Sequence, residues 1–410
     1  MKKVIALLLC VCLAASCFVG CKKETAPEQV QEKVTFEDQT LVVYTDLVEG
    51  DAAHTAYMEQ VKKFEEKTGA TVDVYCFGAQ LDQAYDGAVE AGKTVDVFKI
   101  SSLNDFRFDI VDTLDLTSYV ESTDMAGHAY PAYMDQIRLF SAEGTAVHAL
   151  PTTADVAGMW YSVAAFEKAG INAPTSMDEL DAAFAALKTA GYNPYVLEKQ
   201  SAKLNFAVHM ERVLGEQTLN ALVKDGGWAA NADAVAAIQR LLDWAGNGYI
   251  TVVDWPLSWE ALGTTAAMTY ANWRNFDEYE GLLAQDQKFD CFSYPAAGGS
   301  KSCYFDCGAL CVSANTAVAD LAWDFLYFMT TGEADQMVSA AADTIPCDPA
   351  NAGGAYGNAV TMLKGVSGRL DHSKLMDANE NVDFAEVVLN IYTGAYEDGA
   401  EAAAALDDLY

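Results

Sequence analysis

The chain has 410 residues, of which 59 are acidic and 25 basic, for a formal net charge of −34 at pH 7. Such a field repels nucleic acid and other polyanions, and no cluster of Lys and Arg offsets it. Apolar residues make up 51% of the chain, enough for a packed body, and the length suits two lobes better than a single core.

Met1-Lys2-Lys3 is a short positive segment, and Val4 to Ala15 is an apolar run too short to span a bilayer comfortably. Phe18-Val19-Gly20-Cys21 follows, with the polar Lys22-Lys23-Glu24 directly after it. This resembles a bacterial lipoprotein signal, in which the peptide bond before Cys21 is cut and the Cys21 thiol is acylated. Ala14-Ala15-Ser16-Cys17 offers a second site. Residues 1–20 are expected to be a signal peptide. Residues 21–38 are rich in Lys, Glu, Gln, Pro and Thr and are expected to form a flexible lipidated tether. Stable anchoring needs two or more acyl chains, which such a modification supplies. The expected location is extracytoplasmic, on the membrane surface.

Leu41-Val42-Val43-Tyr44 is a short β-type run that ends in Thr45-Asp46 and a polar loop. Tyr57 to Lys67 has helical spacing, with Met58, Val61 and Phe64 on one side, and Gly69 stops it. Thr71 to Phe77 alternates as a strand, Leu81 to Ala91 is helical, and Val95 to Ile100 is a third strand. Strand, helix, strand, helix, strand at this spacing predicts a parallel α/β lobe. Ligands of such sheets meet the loops at the carboxyl ends of the strands. That rule singles out Glu49 and Asp51 in one loop and Ser101, Ser102 and Asn104 in another. From Asn172 onward the chain turns helical and Ala-rich. Ser176 with Glu179 three residues later forms a capping box. Further helices are predicted over Leu204–Leu214, Ala232–Ala245, Ala317–Thr330 and Glu333–Ala341, with a short strand at Ala266–Tyr270.

Past the signal, the cysteines are Cys76, Cys291, Cys303, Cys307, Cys311 and Cys347. In an oxidising compartment these could pair in several ways. Cys303, Cys307 and Cys311 sit among residues that read as extended. Cysteines four apart on one strand face lie about 13 Å apart, too far for one metal. Buried thiols or disulfides are the expected outcome, and no metal is expected.

Four short motifs then occur in order. Ala149-Leu150-Pro151 is followed by Met159-Trp160-Tyr161-Ser162-Val163-Ala164-Ala165-Phe166-Glu167-Lys168-Ala169-Gly170-Ile171 and by Pro174 to Leu180. Asn247-Gly248-Tyr249-Ile250 leads to Gly263, Ala267-Met268-Thr269 and Trp273. Phe289 to Gly299 carries Pro295 and Gly298-Gly299, and Ala322 to Met329 reads AWDFLYFM. Together they resemble the extracellular solute-binding family that includes maltose-binding protein, with Met177 and Ser162 where members commonly carry Trp and Asn. The resemblance implies an α/β, two-lobed periplasmic-binding-protein fold of type II, with a ligand cleft between lobes joined by hinge strands. The implied boundaries are an N-terminal lobe over 39–153, a C-terminal lobe over 154–304, and a return of the chain to the first lobe over 305–345. Residues 346–410 would then complete the C-terminal lobe and hinge. It also implies a binding protein for an ABC importer, with the permease subunits as partners and no enzymatic activity or cofactor. The protein is expected to be a monomer that does not bind nucleic acid.

Sugars offer hydroxyl edges to carboxylates and amides, and flat C–H faces to aromatic rings. On that chemistry Trp273 and Asp155 are the first candidates, since the resemblance places both in the cleft. Trp255 and Trp259 flank Pro256 in one loop. Trp160 and Tyr161 lie next to each other on the predicted crossing strand, so at most one faces the cleft. Arg274 decides whether the ligand is neutral or carries a carboxylate. Two other classes stay open. A polyamine or peptide would suit the acids and aromatics. A glycoside hydrolase needs only two carboxylates, but no catalytic motif supports it.

Overall fold

A computed structural model describes residues 35–102, 112–139, 141, 144–272, 283, 287–296, 303–352, 357–365 and 382–410. Its first three strands are β1 (Thr40–Thr45), β2 (Thr71–Cys76) and β3 (Val97–Ile100), all parallel, with β1 between the other two. Helices Ala52–Thr68 and Leu81–Glu90 connect them. Gly69 ends the first helix at φ 77, where its N–H reaches the Glu65 carbonyl. An L side chain rarely adopts that backbone conformation, so glycine stands there.

The remaining strands are β4 (Leu150–Ser162), β5 (Asn193–Glu198), β6 (Ile250–Val253), β7 (Ala266–Asn272), β8 (Phe289–Phe292), β9 (Phe305–Val312) and β10 (Ile345–Pro346). β4 is the long one, and it belongs to two sheets in turn. Its first half, Leu150 to Val156, pairs antiparallel with β9, and β9 pairs antiparallel with β3. Its second half, Ala157 to Ser162, pairs with β7 and β8. β10 adds a short pairing at Thr153 and Ala154. The order through both sheets is β2-β1-β3-β9-β4-β7-β5-β6.

The strand senses follow from these pairings. Two antiparallel steps make β4 run the same way as β1, β2 and β3. β7 runs against β4, and β5 and β6 are parallel with β7 through β5. The carboxyl ends of β1–β3 and of β5–β7 therefore point toward each other along β4. Ile100, the last residue of β3, aligns with Pro151 through Ala309. Asn272, the last residue of β7, aligns with Ala157. Six residues of β4 separate these levels, about 20 Å at the usual rise. The molecule thus has a gap between two sets of strand ends, floored by β4, β9 and β10.

Apolar packing forms two clusters that divide near the same place, although Trp160, Ala271 and Cys291 beyond it pack with the first. Ala154 and Val156 join a cluster with Val43, Phe64, Phe98, Phe325 and Leu326. Ala157 and Met159 join another around Phe184, Phe206, Trp228 and Trp244. The C-terminal helices Val382–Thr393 and Gly399–Asp407 put Phe384, Val388, Ile391 and Leu406 into this second cluster. Ser176 caps the helix Met177–Thr189, accepting from the Glu179 N–H at 3.2 Å. The Glu179 carboxylate reaches back to the N–H and hydroxyl of Thr175, both at 2.7 Å.

Cys76 is a half-buried free thiol on β2, Cys291, Cys303, Cys311 and Cys347 are buried free thiols, and Cys307 lies buried on β9 with Cys311. Burial pushes the Cys303 thiol up to about 12, and Cys311 and Cys347 rise for the same reason. A protonated thiol is a poor nucleophile, so these residues are shielded chemically as well as sterically.

The floor of the gap tolerates little added volume. A Cβ at Gly308 would lie 2.9 Å from the Thr153 Oγ1 and 3.2 Å from the Ile100 carbonyl oxygen. Gly308→Ala is expected to cost about 1–3 kcal/mol in urea denaturation. An unchanged midpoint would mean that β9 shifts freely against β3 and β4.

Candidate functional site

On the first-lobe side, β1 ends in Thr45 and the loop begins with Asp46. The Asp46 carboxylate accepts from Lys99 Nζ at 2.7 Å and from the Ser101 hydroxyl at 2.8 Å. These groups tie the ends of β1 and β3 together. Burial works to raise the Asp46 pKa, but the adjacent Lys99 charge and the two hydrogen bonds outweigh it and hold the carboxyl below its ordinary value. The ion pair is only 18% and 21% exposed, so it is a fixed feature of the rim. Ser101 is oriented by it. Glu49 and Asp51 are exposed on the same loop. Asp51 precedes the helix Ala52–Thr68, and its side chain makes no capping bond there. Ser102 is half-buried. Asn104 lies outside the described residues.

At the crossing, Asp155 is 5% exposed. The Tyr133 hydroxyl accepts from its main-chain N–H at 3.1 Å and donates to its carbonyl at 2.9 Å. The Asp155 carboxylate accepts from the Val156 N–H at 2.9 Å. Trp160 is buried, and its indole N–H donates to the Ala271 carbonyl at 3.0 Å, which locks β4 to β7. Tyr161 is half-buried against Phe166 and Phe292, with ring centroids 4.1 and 5.8 Å away.

On the second-lobe side, β5 ends in Glu198, whose carboxylate accepts from the Ser258 hydroxyl and from Gln200 Nε2 at 3.1 Å. Lys199 pairs with Asp254 at 2.8 Å, joining the loops after β5 and β6. Trp255 comes next and is 49% exposed, as is Leu257. Trp259, on the short helix Leu257–Ala261, is 3% exposed and packs in the core with Leu262. The two tryptophans of this loop thus have opposite environments. Trp273 and Arg274 follow the end of β7 and lie outside the described residues.

The structure therefore gathers Asp46, Ser101 and the loop of Glu49 and Asp51 on one rim, with Trp255 on the other. Trp160 and Trp259 serve packing. Lys99 and Glu198 are rim residues that sequence reasoning passed over, while Asp46 lies in the loop Thr45 to Asp51 that it marked. The strand Asn193–Glu198 carried the needed signal in Tyr195-Val196-Leu197, but Pro194 and its brevity concealed it.

Residues 59–356 match a family described as bacterial extracellular solute-binding protein. Among solved structures, the chain is similar to a probable secreted solute-binding lipoprotein from Streptomyces coelicolor, at 19% identity and a TM-score of 0.69, over 90% of this chain and 98% of that one. It is similar to the bacterial solute receptor AcbH, described as having an exclusive preference for β-D-galactopyranose, at 14% identity and a TM-score of 0.71, over 91% and 98%. It is also similar to apo RafE from Streptococcus pneumoniae, at 16% identity and a TM-score of 0.70, over 90% and 97%. These likenesses establish the two-lobed α/β fold. Curated protein sequences contain no match.

The contrast between the two loop tryptophans can be measured. Trp259→Ala is expected to cost about 3–5 kcal/mol of stability, as for a buried aromatic. Trp255→Ala is expected to stay within about 0.5–1 kcal/mol. Urea midpoints of the two variants check this, and equal losses would contradict the assigned environments.

Proposed function

The chain belongs to the bacterial extracellular solute-binding family, and from that premise we propose that it captures a carbohydrate, an oligosaccharide, in the gap between its two sets of strand ends. It delivers that sugar to the permease of an ABC importer. It works outside the cytoplasm, as its family does, tethered through acylated Cys21. Among the described residues no helix is long and apolar enough to cross a membrane. Its task is binding, and we assign it no catalysis.

The observation that carries this reading is the composition of the two rims. One presents fixed polar groups, Asp46, Lys99 and Ser101. The other presents an indole that is 49% exposed beside Glu198 and the Lys199–Asp254 pair. An exposed indole opposite oriented hydrogen-bonding groups suits a ligand with a C–H face and hydroxyl edges. The galactopyranose preference of one structural neighbour supports the same ligand class. Trp273 and Arg274, at the end of β7, and Asp155 at the crossing complete the proposed ligand set. Closure of the two lobes about the crossing strands would bring both rims onto the sugar and signal occupancy to the permease.

Calorimetry against glucose, galactose, raffinose, malto-oligosaccharides, galacturonate and spermidine tests this. Heat is expected from at least one neutral sugar, with about tenfold weaker binding in Trp255→Ala and an unchanged melting temperature. Heat from spermidine alone would overturn the carbohydrate reading.

A further inference from the structure

The floor strand β10 leads straight into a turn, residues 347–351, that two buried carboxylates hold in place. Asp335, on the helix Gly332–Ala341, is 2% exposed. Its carboxylate accepts from the Cys347 and Asp348 N–H groups, both at 3.2 Å, and from Asn351 Nδ2 at 2.9 Å. The Ser339 hydroxyl faces it from the next turn of the helix at 3.5 Å. Asp348 is 1% exposed, and its carboxylate accepts from the Ala350 N–H at 2.8 Å and from the Gly332 N–H at 3.4 Å. These bonds fasten the turn to the start of that helix.

The cation that faces these charges is a histidine. His128 Nδ1 lies 2.7 Å from Asp348 Oδ2. A carboxylate only accepts, so Nδ1 carries the hydrogen. His128 Nε2 faces Asp124 at 3.5 Å, which gives the doubly protonated ring an acceptor on both sides. The ring meets Tyr327 edge-on at 6.1 Å between centroids, and the Tyr327 hydroxyl donates to Asp124. His128 is 30% exposed, so its proton exchanges with solvent. Among the described residues it is the one cation paired with Asp348. Farther along the same stretch of chain, Tyr133 bonds the main chain of Asp155 at the crossing.

Burial pushes the Asp335 carboxyl up to about 7, against the bonds from Asn351, Asp348 and Cys347. The bond to Asp348 raises the His128 pKa, with burial opposing it and the charges of Asp348 and Asp124 adding to it. Both groups hold their protons more tightly in the closed turn than in an open one. An open turn releases the Asp335 proton above about pH 4 and the His128 proton above about 6.5. Closure therefore weakens through Asp335 from about pH 4 to 7, and through His128 from about 6.5 upward. When both protons are gone, two carboxylates stay buried beside a neutral imidazole, an arrangement that favours opening.

We propose that His128, Asp348 and Asp335 form a proton-operated latch on the floor of the gap. With its protons bound it holds the turn 347–351 closed and, through the turn, β10 against β4 at Thr153 and Ala154. As the protons leave, the turn opens and the floor loosens. The latch works in the same way whatever the gap binds.

Hydrogen exchange of the ligand-free protein tests this, with each rate divided by the intrinsic rate at the same pH. Between about pH 5.5 and 8.5, protection over residues 345–351 is expected to fall about tenfold or more. Asp335→Asn stays uncharged and is expected to lose most of the fall below about pH 7. His128→Gln keeps a donor without a charge. It is expected to start less protected in acid and to lose the fall above about pH 6.5. The pairing of β1 with β2 is the internal control in all three proteins. Protection over 345–351 that stays level in the wild type contradicts the latch, as does an undiminished fall in both variants. A fall of equal size in β1 and β2 also contradicts it, because that marks titration of the whole acidic chain.

Discussion

One strand, β4, holds the molecule together and defines its working gap. Over 13 residues it changes partners at Val156 and Ala157, from β9 on one side of the change to β7 and β8 on the other. Each half must satisfy its main-chain groups within a different sheet. The change therefore fixes how the two sheets meet. It sets β1–β3 and β5–β7 end to end, so that each group of strand termini faces the other across about 20 Å of β4. Tyr133 reinforces the crossing by bonding both main-chain groups of Asp155. Trp160 reinforces it on the second side through Ala271.

Ends of parallel strands are where loops carry function, because the scaffold is rigid and the loops are free to vary. Here the loops are pinned by charge pairs at their bases. Lys99 and Asp46 join two loops of the first lobe, and Lys199 and Asp254 join two of the second. The first pair is mostly shielded from solvent and fixes geometry. The second is 50% and 71% exposed, so it contributes little to stability. The rim is thus preorganised more firmly on the first lobe.

Much of the first lobe was legible in the sequence because its elements are local. Periodicity places the helix Ala52–Thr68 and the strands around it, and Gly69 marks a left-handed cap that only a backbone without Cβ adopts easily. The expected lipoprotein signal at Cys21 and the proposed ligand residues Trp273 and Arg274 lie outside the described residues. The rim pairs were not legible, because Asp46 and Lys99 are 53 residues apart and meet only through the pairing of β1 with β3. Nor could composition separate Trp255 from Trp259. They sit four residues apart, and Trp259 reaches the core from the short helix Leu257–Ala261 while Trp255 stands before that helix.

Hydrogen exchange followed with and without a bound sugar tests most directly whether the ligand is held between the two sets of strand ends. Capture in the gap predicts that the loops after β1 and β3 and those after β5 and β6 gain protection together on binding. Protection confined to one lobe, or found only on the helical faces away from β4, would contradict it.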